Sequence, residues 1–223
     1  MSIDEAFFMI DAKEMNFQAS RPGSNVDVKY NSKNPITKLI VGNFVATFNR
    51  FLDELGDEEI HNILEVGAGE GYISMLLARK YSEAQIISSD ISKTEFETRK
   101  NNLAQFKNVQ VMEADGCHLP FSDNAFDLVV CSEVLEHIPG PHVALKEIHR
   151  VGRKYALLSV PNEPLWHLLN MARGKYWRAF GNTPGHINAW SPWGFGKFVT
   201  QLNFDIQKRI FPIPWTMFLA KKR

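Results

Sequence analysis

The sequence has few of the features that mark several protein classes. Only two cysteines, Cys117 and Cys131, occur in 223 residues. They are too few for a disulfide framework or a zinc site and predict buried packing thiols in a reducing compartment. The formal net charge is zero, so the chain has no general attraction for nucleic acid. No apolar run reaches the roughly 18 residues of a membrane-spanning helix, and the acidic first 16 positions do not fit a signal peptide. These absences predict a cytoplasmic protein with no nucleic-acid partner and no membrane insertion.

The length and composition that are present suit one substantial core. With 223 residues, 44% of them hydrophobic and 22% charged, the chain predicts a single domain rather than two independent ones. Hydrophobic periodicity and turn residues divide this domain into successive segments. They are an extended N-terminal arm (1–34), a leading helix (35–56), a core (60–160), an aromatic-rich insertion (161–190), and a closing helix with two strands (191–223).

A glycine-rich turn follows the first predicted strand of the core. The apolar run Ile63–Val66 stops at Gly67, Gly69 and Gly71, and a helical apolar pattern begins at Tyr72. Glycine adopts positive φ and lets a ligand lie against the backbone at the positive end of the following helix. The sequence therefore predicts a strand, a tight turn and a helix that bind a nucleotide-like ligand.

The spacing of this turn bears on which nucleotide it binds. Tyr72 stands where the dinucleotide pattern Gly-x-Gly-x-x-Gly has its last glycine. Glu65, two positions before the first glycine, would repel a pyrophosphate and suits a cationic ligand. On these residues the segment resembles the first motif of the class I S-adenosylmethionine-dependent methyltransferases, (Asp/Glu)-x-Gly-x-Gly-x-Gly.

Two further acidic residues follow the next two predicted strands. The chain topology of a right-handed βαβ unit brings Asp90 to the edge where the glycine turn lies, and its carboxylate can accept hydrogen bonds from ribose hydroxyls. Alternatively, Asp90 caps the helix that we predict over 92–103. The resemblance implies that Asp115, followed by Gly116, meets the adenine amino group; as an alternative, Asp115 is an ordinary turn residue.

The predicted fourth strand, Phe126–Cys131, is almost wholly apolar and should be buried on both faces. The segment that follows, 132–138, contains Val-Leu-Glu-His and resembles the small-molecule, type 11-like branch of the family. It is unlike the Asn/Asp-Pro-Pro motif of enzymes that methylate amino groups. His137 can titrate near neutral pH and is a candidate general base, or else a hydrogen-bonded structural residue.

The insertion combines large aromatic side chains with basic ones. It follows the carboxyl end of the fifth strand, where parallel sheets open their binding crevice, and predicts a cover for an apolar or aromatic acceptor that carries an anionic group. A satellite core or a dimer contact is the alternative. His186 is the second candidate base. The residues in question are Trp166, Arg173, Lys175, Tyr176, Trp177, Arg178, Phe180 and Trp190.

The closing segment has its own local signals. Ser191 and Pro192 predict the start of a helix. Two strands, 205–210 and 215–220, follow it and, by the resemblance, form a reversed hairpin at the edge of the sheet. At the other end of the chain, Tyr30 either lines the cofactor pocket or belongs to a plain linker.

The resemblance covers about residues 60 to 220 and implies a Rossmann-like α/β fold with a seven-stranded, mostly parallel sheet and helices on both faces. It implies an enzyme that transfers a methyl group from S-adenosyl-L-methionine to O, N or C of a small acceptor, as a monomer or homodimer, without a metal. The core would bind the cofactor and the insertion the acceptor, with His137 and His186 as candidate catalytic residues. The implied cofactor-binding residues are Glu65, Gly67, Ala68, Gly69, Gly71, Tyr72, Asp90, Ile91, Asp115, Gly116, Ser132, Glu133 and His137.

Two other functions stay open at this point. An NAD(P)-dependent oxidoreductase is compatible with the glycine turn and Asp90, although Tyr72 and the absence of a Tyr-x-x-x-Lys pair oppose it. A non-catalytic subunit that binds the cofactor and partners another methyltransferase would keep the same motifs.

Overall fold

The elements of the structure alternate between strand and helix along most of the chain. The computed structural model describes residues 17–24, 26–56, 59–172, 174 and 176–223. Six α-helices lie in these residues: α1 (Pro35–Glu54), α2 (Tyr72–Lys80), α3 (Phe96–Leu103), α4 (Pro141–Val151), α5 (Glu163–Ala172) and α6 (Pro192–Thr200). The seven strands are β1 (Asn62–Val66), β2 (Gln85–Asp90), β3 (Val109–Glu113), β4 (Phe126–Ser132), β5 (Gly152–Pro161), β6 (Phe204–Ile210) and β7 (Trp215–Lys222).

The chain divides into two compact units, residues 1–114 and 115–223. In the first unit β1 pairs in parallel with β2, and β2 with β3. In the second unit β4 and β5 are parallel, while β7 runs antiparallel to both β5 and β6. The seven strands have the order β3-β2-β1-β4-β5-β7-β6. The predicted seven-stranded, mostly parallel sheet with a reversed terminal hairpin is confirmed.

Strand β4 is buried at every position except its last, as its apolar sequence predicted. The one charged residue within it, Asp127, is fully buried. Its carboxylate accepts a hydrogen bond of 2.9 Å from Nε of Arg153, on the neighbouring strand β5, and a second from the same guanidinium. The ion pair explains how a carboxylate is accommodated inside the sheet.

The predicted helix boundaries of α1 and α6 agree with the structure at their capped ends. The Asn34 side chain accepts hydrogen bonds from the first-turn amides of α1, and Pro35 occupies its first position. The Ser191 hydroxyl accepts a hydrogen bond of 3.1 Å from the Gly194 amide before α6. Helix α1 ends at Glu54, two residues before Gly56, which has a φ of +47°. Side-chain caps replace backbone acceptors that a first turn lacks.

Three predicted features differ from the structure. The N-terminal arm is not extended throughout, because Val26–Tyr30 forms a π-helical turn; positions 1–16 of that arm lie outside the described residues. Helix α3 begins at Phe96 rather than at residue 92. The Ser92 amide donates to Asp90 Oδ1 at 2.8 Å, which forms a turn in place of the first helical turn.

The third difference lies in the insertion. Helix α5 occupies Glu163–Ala172, where the sequence analysis placed no element. The two basic residues that we counted in this segment at positions 173 and 175 lie outside the described residues. Nowhere in the described ranges is a helix both long enough and apolar enough to cross a membrane.

Candidate functional site: a glycine loop and a histidine cluster

The glycine loop between β1 and α2 has a left-handed backbone at each of its glycines. A Cβ on Gly71, whose φ is +90°, would lie 2.9 Å from Leu103 Cδ1 and 3.2 Å from Arg99 Cγ. By contrast, a Cβ on Gly69, with φ of +52°, would meet no atom within 4 Å. Gly71 is therefore required by packing, whereas the space beside Gly69 leaves room for a ligand against the backbone.

Asp90 lies at the loop, as the predicted topology requires. Its Oδ2 accepts a hydrogen bond of 2.7 Å from the Gly69 amide, and its Oδ1 accepts one from the Ser92 amide. Each carboxylate oxygen has more than one lone pair, so these contacts are compatible with a further hydroxyl donor. Ile91, beside it, is 64% exposed. The structure thus brings Asp90 to the loop, and contact with a ribose stays a prediction.

Glu65 is buried and does not lie on the surface of the loop. Its carboxylate hydrogen-bonds to the Ser74 hydroxyl of α2, which in turn lies 2.6 Å from Ser88 Oγ of β2. Burial away from water raises the pKa of Glu65 to about 7, against the lowering effects of Ser74 and of the positive charge of Arg99. Any action of this carboxylate on a cationic ligand would therefore depend on pH near neutrality.

Arg99 is a residue that the sequence analysis missed. It is fully buried, and its guanidinium donates to the carbonyl of Gly69 at 2.7 Å and to that of Met112 at 3.3 Å. Desolvation lowers the pKa of Arg99, while the charges of Asp90 and Glu65 raise it. One signal for its burial was present in the sequence, because Arg99 lies on the same face of α3 as the apolar Leu103. The signal is weak, since an arginine in a polar helix is usually exposed.

The N-terminal arm is attached to the glycine loop through Glu70. The Glu70 carboxylate accepts hydrogen bonds from the amides of Ser20 and Val26, the latter at 2.8 Å. Asn102 of α3 exchanges two hydrogen bonds with the backbone of Gln18 and donates a third to the Glu70 carbonyl. A carboxylate inside the loop motif therefore acts as the anchor of the arm.

Tyr72 extends this attachment by aromatic packing. Its ring stacks on that of Tyr30 with centroids 3.6 Å apart, and Phe17 meets it edge-on at 5.7 Å. Burial raises the pKa of Tyr72 to about 12. Tyr30 is thus packed against the loop residue that we expected to contact the cofactor, rather than lying in a plain linker.

In the second unit, Asp115 forms a local turn. Its Oδ1 accepts a hydrogen bond from the Cys117 amide at 2.8 Å, and its Oδ2 lies 3.2 Å from His118 Nδ1. Both contacts lower the pKa of Asp115, and the hydrogen bond from the Cys117 amide has the larger effect. The turn role that we gave as an alternative is thus present, and contact of Asp115 and Gly116 with adenine stays a prediction.

The end of β4 has an unusual backbone. Glu133 has a φ of +61°, and its carboxylate accepts hydrogen bonds from the Ser159 hydroxyl and from Trp215 Nε1. Ser132 Oγ lies 2.8 Å from Ser159 Oγ. A left-handed non-glycine residue costs conformational energy and is concentrated at functional positions. This supports a functional role for the segment that follows β4.

The two candidate catalytic histidines lie next to each other in space. The rings of His137 and His186 meet edge-to-face with centroids 4.9 Å apart. His137 Nδ1 lies 2.9 Å from the Gly185 carbonyl oxygen, and His186 Nδ1 lies 2.7 Å from Glu163 Oε1. The structure therefore unites two residues that the sequence analysis considered separately.

Glu163, at the start of α5, was missed because the insertion has no motif that marks it. It is buried and also lies 2.9 Å from Nε2 of His167, one helical turn along. Glu136, beside His137, is buried as well. Ligand atoms of Glu136, His137 and His186 all lie within 4.8 Å of one another, so these three residues have the placement needed to hold a metal ion.

The aromatic residues of the insertion divide into two groups. Trp166 stacks on His186 and packs near Trp215, and Trp190 packs on the phenylalanines of α6. The satellite-core alternative therefore holds for these two. Trp177 and Phe180, in contrast, are exposed.

Comparison with known proteins gives the family of the core. Residues 64–160 match the family model described as "Methyltransferase domain". Over 144 residues the chain is 30% identical to a demethylmenaquinone methyltransferase of Staphylococcus aureus (strain MRSA252). The match covers 64% of this chain and 59% of that relative, so the chain spans less than two thirds of the relative's length.

Solved structures share the fold at lower identity. Magnesium protoporphyrin IX methyltransferase of Synechocystis PCC 6803, solved with bound SAH, aligns with a TM-score of 0.67 and 18% identity over 99% of both chains. A SAM-dependent methyltransferase of Aquifex aeolicus aligns with a TM-score of 0.64 and 16% identity over 78% of this chain and 89% of that one. The matched sequence assigns residues 64–160 to the methyltransferase domains, and the solved structures show that the chain shares the fold of S-adenosylmethionine-dependent methyltransferases.

Proposed function

We propose that this protein transfers the methyl group of S-adenosyl-L-methionine to an oxygen, nitrogen or carbon atom of a small apolar or aromatic acceptor. The observation that carries the proposal is the hydrogen bond between Asp90 and the Gly69 amide. It holds a carboxylate beside a loop position with open space on its outer side. This combination suits a nucleoside, because the planar base can lie against the backbone and the carboxylate can accept hydrogen bonds from the ribose hydroxyls.

The residues of the first unit suit this cofactor. Asp90 would accept from the ribose hydroxyls, and the loop from Gly67 to Tyr72 would lie against the rest of the molecule, with Ile91 as an apolar contact. The loop would be supported on its buried side by Glu65, Arg99 and Ser74. The negative charge of Glu65 would favour a cationic ligand. In the second unit we assign Asp115 and Gly116 to the adenine, and Ser132, Glu133 and His137 to further contacts.

The chemistry that the cofactor supplies is a methyl group already activated by its sulfonium. What the protein adds is orientation of the acceptor and exclusion of water. We place His137 and His186 on the acceptor side of the reaction. Their contacts to Gly185 and Glu163 fix the planes of both rings, which an orienting role requires.

An apolar or aromatic acceptor is supported by the second unit. Trp177 and Phe180 present exposed rings after α5, and Leu168 on that helix is exposed too. Exposed apolar side chains in one segment commonly mark a binding surface. Two of the similar proteins are named for demethylmenaquinone and for magnesium protoporphyrin IX, and we extend from them only the preference for an organic acceptor of this kind.

Calorimetry with S-adenosylmethionine, its demethylated product and NAD tests the cofactor. We expect the first two to bind and NAD not to bind; binding of NAD alone would instead support the oxidoreductase. Transfer of labelled methyl groups to a panel of phenols, quinols and carboxylates then tests activity. Each assay is run with the protein alone and with cell extract. Transfer that occurs only with extract would indicate a subunit that needs a catalytic partner.

A further inference from the structure

Two histidines and a glutamate of the second unit form a compact set of metal-binding groups. Glu136 and His137 are neighbours in the short 3-10 turn after β4, and His186 lies beyond α5. Ligand atoms of the three residues lie within 4.8 Å of one another. Since 49 positions separate His137 from His186, tertiary structure and not a sequence motif brings them together. Imidazole and carboxylate ligands in this combination bind divalent transition-metal ions.

Both imidazole rings are held in the orientation that metal ligation needs. His137 Nδ1 faces a carbonyl oxygen, that of Gly185, which can only accept a hydrogen bond. His186 Nδ1 likewise faces the carboxylate of Glu163. Each Nδ1 therefore carries the proton, and Nε2 is the nitrogen with the lone pair. A carbonyl or carboxylate behind the ring is the usual support of a metal-binding histidine.

The charges of the cluster also favour a cation. Glu136 and Glu163 are 1% and 2% exposed, and buried carboxylates need a compensating positive charge. In the described part of the chain, the ion-pair partners of Glu163 are histidines alone, His167 and His186. Glu136 Oε1 lies 3.9 Å from His137 Nε2, a separation that a metal ion bound to both groups would span.

We infer that Nε2 of His137, Nε2 of His186 and the carboxylate of Glu136 bind one divalent transition-metal ion, with Glu163 fixing His186 from behind. Three protein ligands leave coordination positions for water or for an oxygen of the acceptor. The two histidines would then act on the acceptor as ligands of a Lewis acid and not as proton acceptors. That last consequence rests on the proposed methyl transfer, whereas ion binding itself does not.

The test uses the full chain with any affinity tag removed, since a histidine tag binds the same ions. The protein is stripped with a chelator, and zinc uptake is measured by calorimetry and elemental analysis without S-adenosylmethionine or acceptor. We expect one ion per chain, and with cobalt a visible absorption band that reports ligation by nitrogen and oxygen. H137A, H186A and E136Q should each weaken binding at least about tenfold, and E163Q by about 10–100-fold.

His61→Ala is the matched control, because His61 is an exposed histidine of the first unit, and it should bind zinc like the unaltered protein. Zinc uptake by the unaltered protein that does not exceed that of H137A/H186A would overturn the inference, and so would a cobalt spectrum equal to that of free cobalt. These two measurements decide the matter even where a variant folds poorly. A metal-free protein that still binds S-adenosylmethionine would leave the proposed function intact.

Discussion

The Glu70 carboxylate accepts a hydrogen bond of 2.8 Å from the backbone amide of Val26, which joins the glycine loop to the N-terminal arm. Glu70 lies between Gly69 and Gly71, so the same loop that would contact the cofactor also holds the arm. Its second carboxylate oxygen accepts from the Ser20 amide. The ordered conformation of the arm and the conformation of the loop should therefore depend on each other, because both need the Glu70 contacts.

Substituting Glu70 tests this dependence. Glu70→Ala leaves two backbone amides without their acceptor, which costs about 1–3 kcal/mol when such groups stay buried. We expect lower stability in urea, faster hydrogen exchange over residues 18–30 and weaker binding of S-adenosylmethionine. Glu97→Ala, at an exposed position of α3, is the control. Unchanged exchange in the arm of the Glu70 variant would show that the contact does not hold it.

The raised pKa of Glu65 predicts a pH dependence of stability. With a pKa of about 7 in the folded protein and 4.5 as the ordinary value, the folded state retains a proton that the unfolded state has lost. The free energy of unfolding should fall as pH rises from about 4.5 to 7, by roughly 3 kcal/mol in total. Glu65→Gln should remove this fall. Urea unfolding of both proteins from pH 4.5 to 8 measures the difference, and parallel curves would contradict it.

Glu65 also predicts a pH dependence of cofactor binding. Since the cationic cofactor favours the charged carboxylate, S-adenosylmethionine should gain affinity relative to its uncharged-sulfur product as pH rises from 6 to 8. The ratio of the two dissociation constants, measured by calorimetry at each pH, is the readout. In Glu65→Gln the ratio should be independent of pH. A constant ratio in the unaltered protein would mean that this carboxylate does not sense the sulfonium.

Asp90→Ala removes the acceptor of the Gly69 and Ser92 amides. We expect the affinity for S-adenosylmethionine to fall by about 10–100-fold, because the loop loses its anchor and the ribose its acceptor. Asp53→Ala, which breaks only an exposed ion pair with Lys80, should leave the affinity unchanged. Equal affinity of the Asp90 variant and the unaltered protein would refute the ribose contact.

The two glycines Gly71 and Gly42 should respond in opposite directions to alanine. At Gly71 a Cβ meets Leu103 and Arg99 on a backbone with φ of +90°, so Gly71→Ala should destabilise the protein by about 1–3 kcal/mol. At Gly42, inside α1, a Cβ meets no atom within 4 Å, and Gly42→Ala should stabilise it by about 0.5–1 kcal/mol. Thermal unfolding measures the stability of both variants against the unaltered protein. An unchanged stability of the Gly71→Ala variant would contradict the prediction and show that the loop relaxes around the added methyl group.

The sequence alone determined the position of the glycine turn and the order of the strands and helices, except for α5 (Glu163–Ala172). The local signals are apolar runs such as Phe126–Cys131, the Ser191 cap and the glycine spacing, because each reports on residues within one or two turns of chain. The resemblance added the sheet and its reversed hairpin, which the strand order, the strand pairing and the shared fold confirm.

Only the tertiary structure decided which side chains meet. The hydrogen bond between Glu70 and Val26 joins residues 44 positions apart, and the contact of the buried Arg99 with the Gly69 carbonyl joins residues 30 positions apart. In the cluster of Glu136, His137, His186 and Glu163, the contact of His186 with Glu163 joins residues 23 positions apart. No periodicity or cap reports such contacts, since they depend on where folded elements pack. The physical reason is that local sequence sets backbone conformation, whereas side-chain partners and pKa shifts follow from burial, which arises only once the chain has folded.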